Sequence, residues 1–340
     1  MINGNLKEKV MRNNIKKILV TGGLGYVGCA LVKRLLQIGH KVNILDLGIY
    51  GKNFFGETKN LSVHIGDIRN TETIKKCIYG CDTVIHLACI SNDPSFDMDP
   101  ELGKLINYDA FRPLVEISKR FEIKNFIYAS SSSVYGIKTE KNVDETFTLE
   151  PLTDYSKFKA DCEKILFEYQ SDEFTTTVLR PATVCGFSLR QRFDLVVNIL
   201  TNLAYNTRKI TVFGGDQLRP NIHINDMVDA YIHILNAQKN KIAGQIFNVG
   251  DQNIKVIDLA KLVRKVLGFD VQIVTSSTKD NRSYHISSKK ILSDLNFKTK
   301  FSIEDAIVDL KNAFDKNIFY DSLNNELYFN IKKMNSIKLN

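Results

Sequence analysis

The stretch at 17–46, "KILVTGGLGYVGCALVKRLLQIGHKVNILD", constrains the fold more than any other part of the chain. "KILV" at 17–20 reads as a buried strand, and "TGGLGYVG" at 21–28 then spaces Gly22, Gly25 and Gly28 three residues apart. In "CALVKRLLQIG" the residues Ala30, Leu31, Leu35 and Ile38 fall on one helical face, and Gly39 follows as a stop signal. "KVNILD" at 41–46 is the next strand. Glycine permits a tight turn and a close backbone approach to a pyrophosphate, and a helix start aims free N–H groups at its oxygens. Helix capping alone could use such glycines. The strand–turn–helix setting favours a dinucleotide instead, held by Gly22, Gly25, Tyr26, Val27 and Gly28.

The same alternation continues. "SVHIGD" at 62–67, "TVIHLA" at 83–88, "NFIYAS" at 125–130 and "TTVLR" at 176–180 read as strands, with helical stretches at 101–122 and 154–170. This implies a parallel sheet covered on both faces. After Arg180 the pattern loosens. "RFDLVVNILTNLAYN", "INDMVDAYIHILNAQ" and "VIDLAKLVRKVLG" read as helices, and "KITVFG" and "VQIVT" as strands. The expected architecture is α/β: a Rossmann-type doubly wound parallel sheet with a smaller α/β substrate-binding C-terminal domain. Residues 1–15 are expected to be a mobile leader, 16–185 the sheet domain with 222–245 returning to it, 186–315 the second domain, and 316–340 an Asn/Lys-rich tail of unreadable role.

Composition excludes several classes. No apolar run approaches the roughly 18–20 residues of a membrane span. The polar, basic start is not a secretory signal. The net charge of +8 is spread along the chain, without a nucleic-acid-binding pattern, and suits an anionic small substrate. The six cysteines form no regular framework, which points to reduced thiols in a cytoplasm. Cys77 and Cys81 lack the second pair or histidines that a zinc site needs, so no metal is expected.

Asp46 ends the second strand, where a carboxylate can accept bonds from an adenosine ribose and repel a 2′-phosphate. This favours NAD over NADP. Asp67 could meet the adenine edge or be a turn residue. In "DYSKFKA" at 154–160, Tyr155 and Lys159 share a helix face. An ammonium beside a phenol stabilises the phenolate and lets tyrosine act as a general base. "YASSSSVYG" at 128–136 ends a strand at the sheet edge where open α/β folds place ligands.

Glycine turn, strand-end Asp, strand-end Ser and Tyr-x-x-x-Lys, in this order, resemble the extended short-chain dehydrogenase/reductases. The branch resembled is the NAD-dependent nucleotide-sugar epimerases and dehydratases, over about residues 16–315. The resemblance implies Ser131, Tyr155 and Lys159 as catalytic set, with Lys159 also on the nicotinamide ribose. It implies Ile68, Leu87, Ala88, Asn107 and Pro181 around the cofactor. "LRPATVCG" at 179–186 places Thr183 where the family carries a substrate-contacting Asn. "RPNIHINDM" at 219–227 and "DNRSYHISSKKI" at 280–291 make Arg219 and Arg282 diphosphate clamps. Arg190, Arg192 and Asp194 precede a helix facing the same site, and Ser132 would wet the pocket. His86 is read as a strand residue under the cofactor. A homodimer is implied.

The family's members share oxidation of the sugar, usually at C4, by bound NAD. Its 4,6-dehydratases follow the Ser/Thr with an Asp-Glu pair, where this chain has Ser132 and Ser133. The resemblance thus implies a nucleotide-diphospho-sugar epimerase working through a 4-keto intermediate, for surface polysaccharide. A 4-dehydrogenase or reductase would look the same from sequence. A non-catalytic NAD-binding regulator typically lacks the Tyr or the Lys, and both are present.

Overall fold

A computed structural model describes residues 15–278, 283 and 285–337. Residues 1–14 of the leader expected at 1–15, and Arg282, lie outside the described residues. Seven parallel strands form the main sheet: β1 (Lys17–Thr21), β2 (Lys41–Asp46), β3 (Leu61–Ile65), β4 (Thr83–His86), β5 (Asn125–Ala129), β6 (Thr175–Pro181) and, later in the chain, β10 (Gln245–Val249). Their spatial order is β10-β6-β5-β4-β1-β2-β3. The inner strands are apolar runs because both faces are covered: Ile18, Leu19 and Val20 are each 0% exposed. The strand order reverses between β1 and β4. Such a switch point opens a crevice at the carboxyl ends of the strands.

Helix α1 (Tyr26–Gln37) buries Leu31 and Leu35 against the sheet, while Ile38 falls past the last turn and is half exposed. Helix α2 (Thr71–Ile78) links β3 to β4. The single helix expected at 101–122 is broken. A short helix, Pro100–Lys104, runs into a π-helical turn at Leu105–Asp109 and then α3 (Phe111–Arg120). Pro113 fits because it lies in the first turn of α3, where its missing N–H matters least. Helix α4 (Asp154–Glu168) opens on a capping box in which Thr153 accepts from the Ser156 N–H.

The second region holds α5 (Val196–Thr207), the strand pair β8 (Lys209–Phe213) and β12 (Gln272–Ser276), and a three-stranded sheet. That sheet runs β11 (Gln252–Lys255), β9 (Leu218–His223), β7 (Thr183–Cys185). Helices α7 (Val256–Leu267) and α8 (Ile303–Asp315) pack on α5 around Leu200, Leu259, Val263 and Ile307. The return of the chain to the sheet domain goes further than 222–245. Helix α6 (Ile224–Asn236) packs on α1, and β10 then pairs with β6, so the returning segment reaches Val249. The tail is folded as well: Phe319 and Tyr328 pack on Phe193 and Phe314, and α9 (Asn330–Ser336) follows.

Candidate active site

A cleft runs along the carboxyl ends of β1, β2, β4, β5 and β6. One end is the glycine turn. Gly22 has φ +73°, and a Cβ there would stand 2.6 Å from the Ala88 backbone nitrogen. A Cβ on Gly28 would stand 2.2 Å from the Gly22 carbonyl oxygen. The turn is therefore closed to side chains, and Gly25, Tyr26 and Val27 line the cleft at the start of α1. Asp46 sits beside it. Its Oδ2 accepts the Leu24 N–H at 3.0 Å and its Oδ1 the Gly48 N–H at 2.8 Å. Burial raises its pKa against these bonds. A carboxylate has about four acceptor positions, so two stay open to ribose hydroxyls.

Ile68, Leu87, Ala88 and Pro181 line the cleft. Asp67 and Asn107 do not. Burial would raise the Asp67 pKa, but the Arg69 side chain and N–H bind the carboxylate and hold it low. Asn107 is buried on the π-helical turn and clamps the next loop, accepting the Ile90 N–H at 2.8 Å and donating to the Ile90 carbonyl at 3.0 Å. His86 is buried beneath the cleft, bonded to Thr21 Oγ1 at 2.7 Å and stacked on Tyr128. Burial pushes its pKa down to about 3.

At the other end Tyr155 and Lys159 project from the first two turns of α4, and both line the cleft. Lys159 donates to the Ala129 carbonyl at 2.6 Å, and its Nζ is 5.9 Å from the centre of the Tyr155 ring. Glu163 continues the same helix face at the next turn. It is 3% exposed and receives Arg180 on both oxygens, at 3.0 and 2.6 Å. It also accepts the Ser130 hydroxyl. The serine run lies just beyond the last residue of β5, Ala129. Ser130 nevertheless lines the cleft, whereas Ser131, Ser132 and Ser133 do not. Ser131 Oγ meets Ser133 Oγ at 2.8 Å, and Ser132 is buried at the head of a short 3₁₀ turn.

Thr183 pairs with Asn221, and Arg219 lies two residues along the same strand, so both occupy one face of the three-stranded sheet. Neither lines the cleft, whereas Arg192 does, ion-paired to Asp194 at 2.8 Å. Four cleft residues carry weak or no sequence signals: Tyr50, Ser91, Asn330 and Met334. The "RQRFD" run at 190–194 was the one hint nearby, since adjacent charges before an apolar helix need a reason. Nothing in the tail's composition marked Asn330.

This geometry agrees with the comparisons. The NAD dependent epimerase/dehydratase family matches residues 18–250, and the chain belongs to that family. The UDP-glucose 4-epimerase of Lactobacillus helveticus is 26% identical over 316 residues, covering 86% of this chain and 94% of that protein. An uncharacterized UDP-glucose epimerase of Bacillus subtilis is 30% identical over 273 residues, 74% of this chain and 82% of that protein. The UDP-glucose 4-epimerase of Thermotoga maritima, solved with UDP-glucose, superposes with a TM-score of 0.81 at 25% identity, over 89% of this chain and 100% of that one. The cofactor is NAD, and the residues fit it: a glycine cradle without room for a Cβ, a helix start, and a strand-end carboxylate with open acceptor positions. No described helix is long and apolar enough to cross a membrane.

Proposed function

We propose that the protein is a nucleotide-diphospho-sugar 4-epimerase acting through a 4-keto sugar. The observation that carries this reading is the cleft's chemistry. Tyr155 and Lys159 lie at its catalytic end, and Asp46, at the far end, is the only carboxylate among its described lining residues. A 4,6-elimination needs acid–base groups beside the sugar, and Ser132 and Ser133 ionise too weakly near pH 7 to serve.

Bound NAD supplies the acceptor, and later the donor, of a hydride. Tyr155 takes the proton of the sugar hydroxyl as the carbon–hydrogen bond breaks. Lys159, held by the Ala129 carbonyl, keeps a positive charge beside the phenolate and reaches the nicotinamide ribose. Ser131 hydrogen-bonds the same sugar oxygen, and Ser132 wets the pocket. Once the keto sugar has turned over, Tyr155 returns its proton to the inverted hydroxyl. Arg192, with Asp194, and Arg219 hold the substrate's diphosphate end, with Thr183 nearby and Arg282 as a further clamp. The same reading makes the protein a cytoplasmic homodimer that supplies sugars for surface polysaccharide.

The test is incubation with UDP-, GDP-, dTDP- and CDP-sugars. A 4-epimer formed without net accumulation of NADH is expected. Stoichiometric NADH with a released keto sugar would make it a dehydrogenase, and loss of water a dehydratase.

A further inference from the structure

Two buried arginines in the cleft have hydrogen-bonding capacity to spare. Arg190 is 3% and Arg192 7% exposed, and both line the cleft. The Arg190 guanidinium lies 3.7 Å from the centre of the Tyr50 ring, and its Nη2 donates to Asn330 Oδ1 at 2.6 Å. Arg192 donates from Nε to Asp194 Oδ1 at 2.8 Å and from Nη1 to Ser91 Oγ at 2.9 Å. Arg190 Nε and Arg192 Nη2 find no partner among the described residues. The two cations also repel: burial, then the Arg192 charge, push Arg190 down to about 10. Asp194 is bound directly to Arg192, while Asp46 feels the Arg190 charge only through space. A buried cation pair with one contacting carboxylate and two unpartnered guanidinium nitrogens is stabilised by an added anion.

Asn330 fixes where these guanidiniums point. It accepts from Arg190, donates its backbone N–H to Asp194 Oδ2 at 3.0 Å, and donates from Nδ2 to Ser91 Oγ, also at 3.0 Å. Each hydrogen-bond partner of the Arg192 guanidinium is therefore also a partner of Asn330. The residue is carried there by the last folded segment. The Tyr328 carbonyl accepts the Phe193 N–H at 2.9 Å, Tyr328 packs on Phe193, and Met334 packs against the core of the sheet domain.

We propose that Asn330 is a positioning residue for Arg190 and Arg192, and that the pair binds a diphosphate in the cleft. Two neighbouring forks match two neighbouring anionic groups. Arg190 shares the cleft with Gly22, Gly25 and the start of α1. The dinucleotide and a nucleotide sugar each carry a diphosphate. The inference rests on the cleft being the nucleotide site proposed above, and binding rather than turnover tests it, so its failure leaves the reaction untouched.

The experiment is calorimetric titration of wild type, Asn330→Ala and Arg190→Lys. NAD and adenosine are titrated into cofactor-free protein, and UDP into NAD-loaded protein. Asn330→Ala should weaken NAD, UDP or both by about 10-fold or more, the loss of a charge-assisted contact, with adenosine unchanged. The ligand that weakens names the diphosphate. Arg190→Lys keeps the charge but loses the fork, and should weaken the same ligand. Wild-type affinities for NAD and UDP in either variant, or an equal loss for adenosine, would overturn the proposal.

Discussion

Tyr155 carries the proton in the reaction proposed here, so Tyr155→Phe tests it most directly. Turnover should fall about 10²–10⁴-fold, with NAD still bound. Ser131→Ala should cost a similar or smaller factor. Single-turnover reduction of bound NAD, followed by absorbance, reads both. A Ser133→Ala loss as deep as that of Tyr155→Phe, with Ser131→Ala near wild type, would move the catalytic hydroxyl two residues along. His86 gives a prediction about pH. Its folded pKa of about 3 lies below the ordinary value of 6.5, so the unfolded chain binds its proton first. Stability from this group is complete above about pH 6.5 and declines as pH falls towards 3, by about 1.4 kcal/mol per unit. Urea midpoints at pH 7, 6 and 5 should drop less steeply in His86→Phe, which keeps an aromatic ring among Phe111, Phe126 and Tyr128. Equal slopes would put the acid sensitivity elsewhere.

Helix α4 does two jobs on one face, since Tyr155, Lys159 and Glu163 follow at intervals of four. Its third residue neutralises Arg180 in the core and receives Ser130, so the helix is locked to the strand that ends in the serine run. Removing one partner of such a pair strands a buried charge. Glu163→Ala should therefore cost about 3–5 kcal/mol in urea unfolding, and a loss below about 1 kcal/mol would show that Arg180 finds another partner. Some of this was legible in sequence. β1, β2, β4, β5 and β6 stand out as apolar runs because the sheet is buried on both faces. The glycine turn and the Tyr-x-x-x-Lys pair have fixed local spacing. Short strands were harder: β7 has three residues, and β9 carries Pro220, which pattern reading treats as a breaker. β10 was missed because its role depends on a partner, β6, far away in the chain. Asn330 had no local signal at all. Its environment is made by Ser91, Arg190 and Asp194, residues 239, 140 and 136 positions distant.

Across the whole molecule, the cleft lies where the two halves of the sheet diverge, so ligand binding and stability are linked. NAD at 100 times its dissociation constant should add about 2.7 kcal/mol to the stability of cofactor-free protein, seen as a rise of several degrees in Tm. NADP at the same concentration should add less, because Asp46 would face its 2′-phosphate, and Asp46→Ala should narrow the gap. A larger rise with NADP would contradict the cofactor assignment. The folded tail has a further consequence, for the order of events during synthesis. The glycine turn, Asp46, Tyr155 and Lys159 all leave the ribosome early, and domains fold as units from the N-terminal side. Asn330 is translated 140 residues after Arg190. A nascent chain can thus assemble its dinucleotide cradle while the arginine side of the cleft still lacks its final constraint. The last wall of the site is set only when residue 330 has emerged.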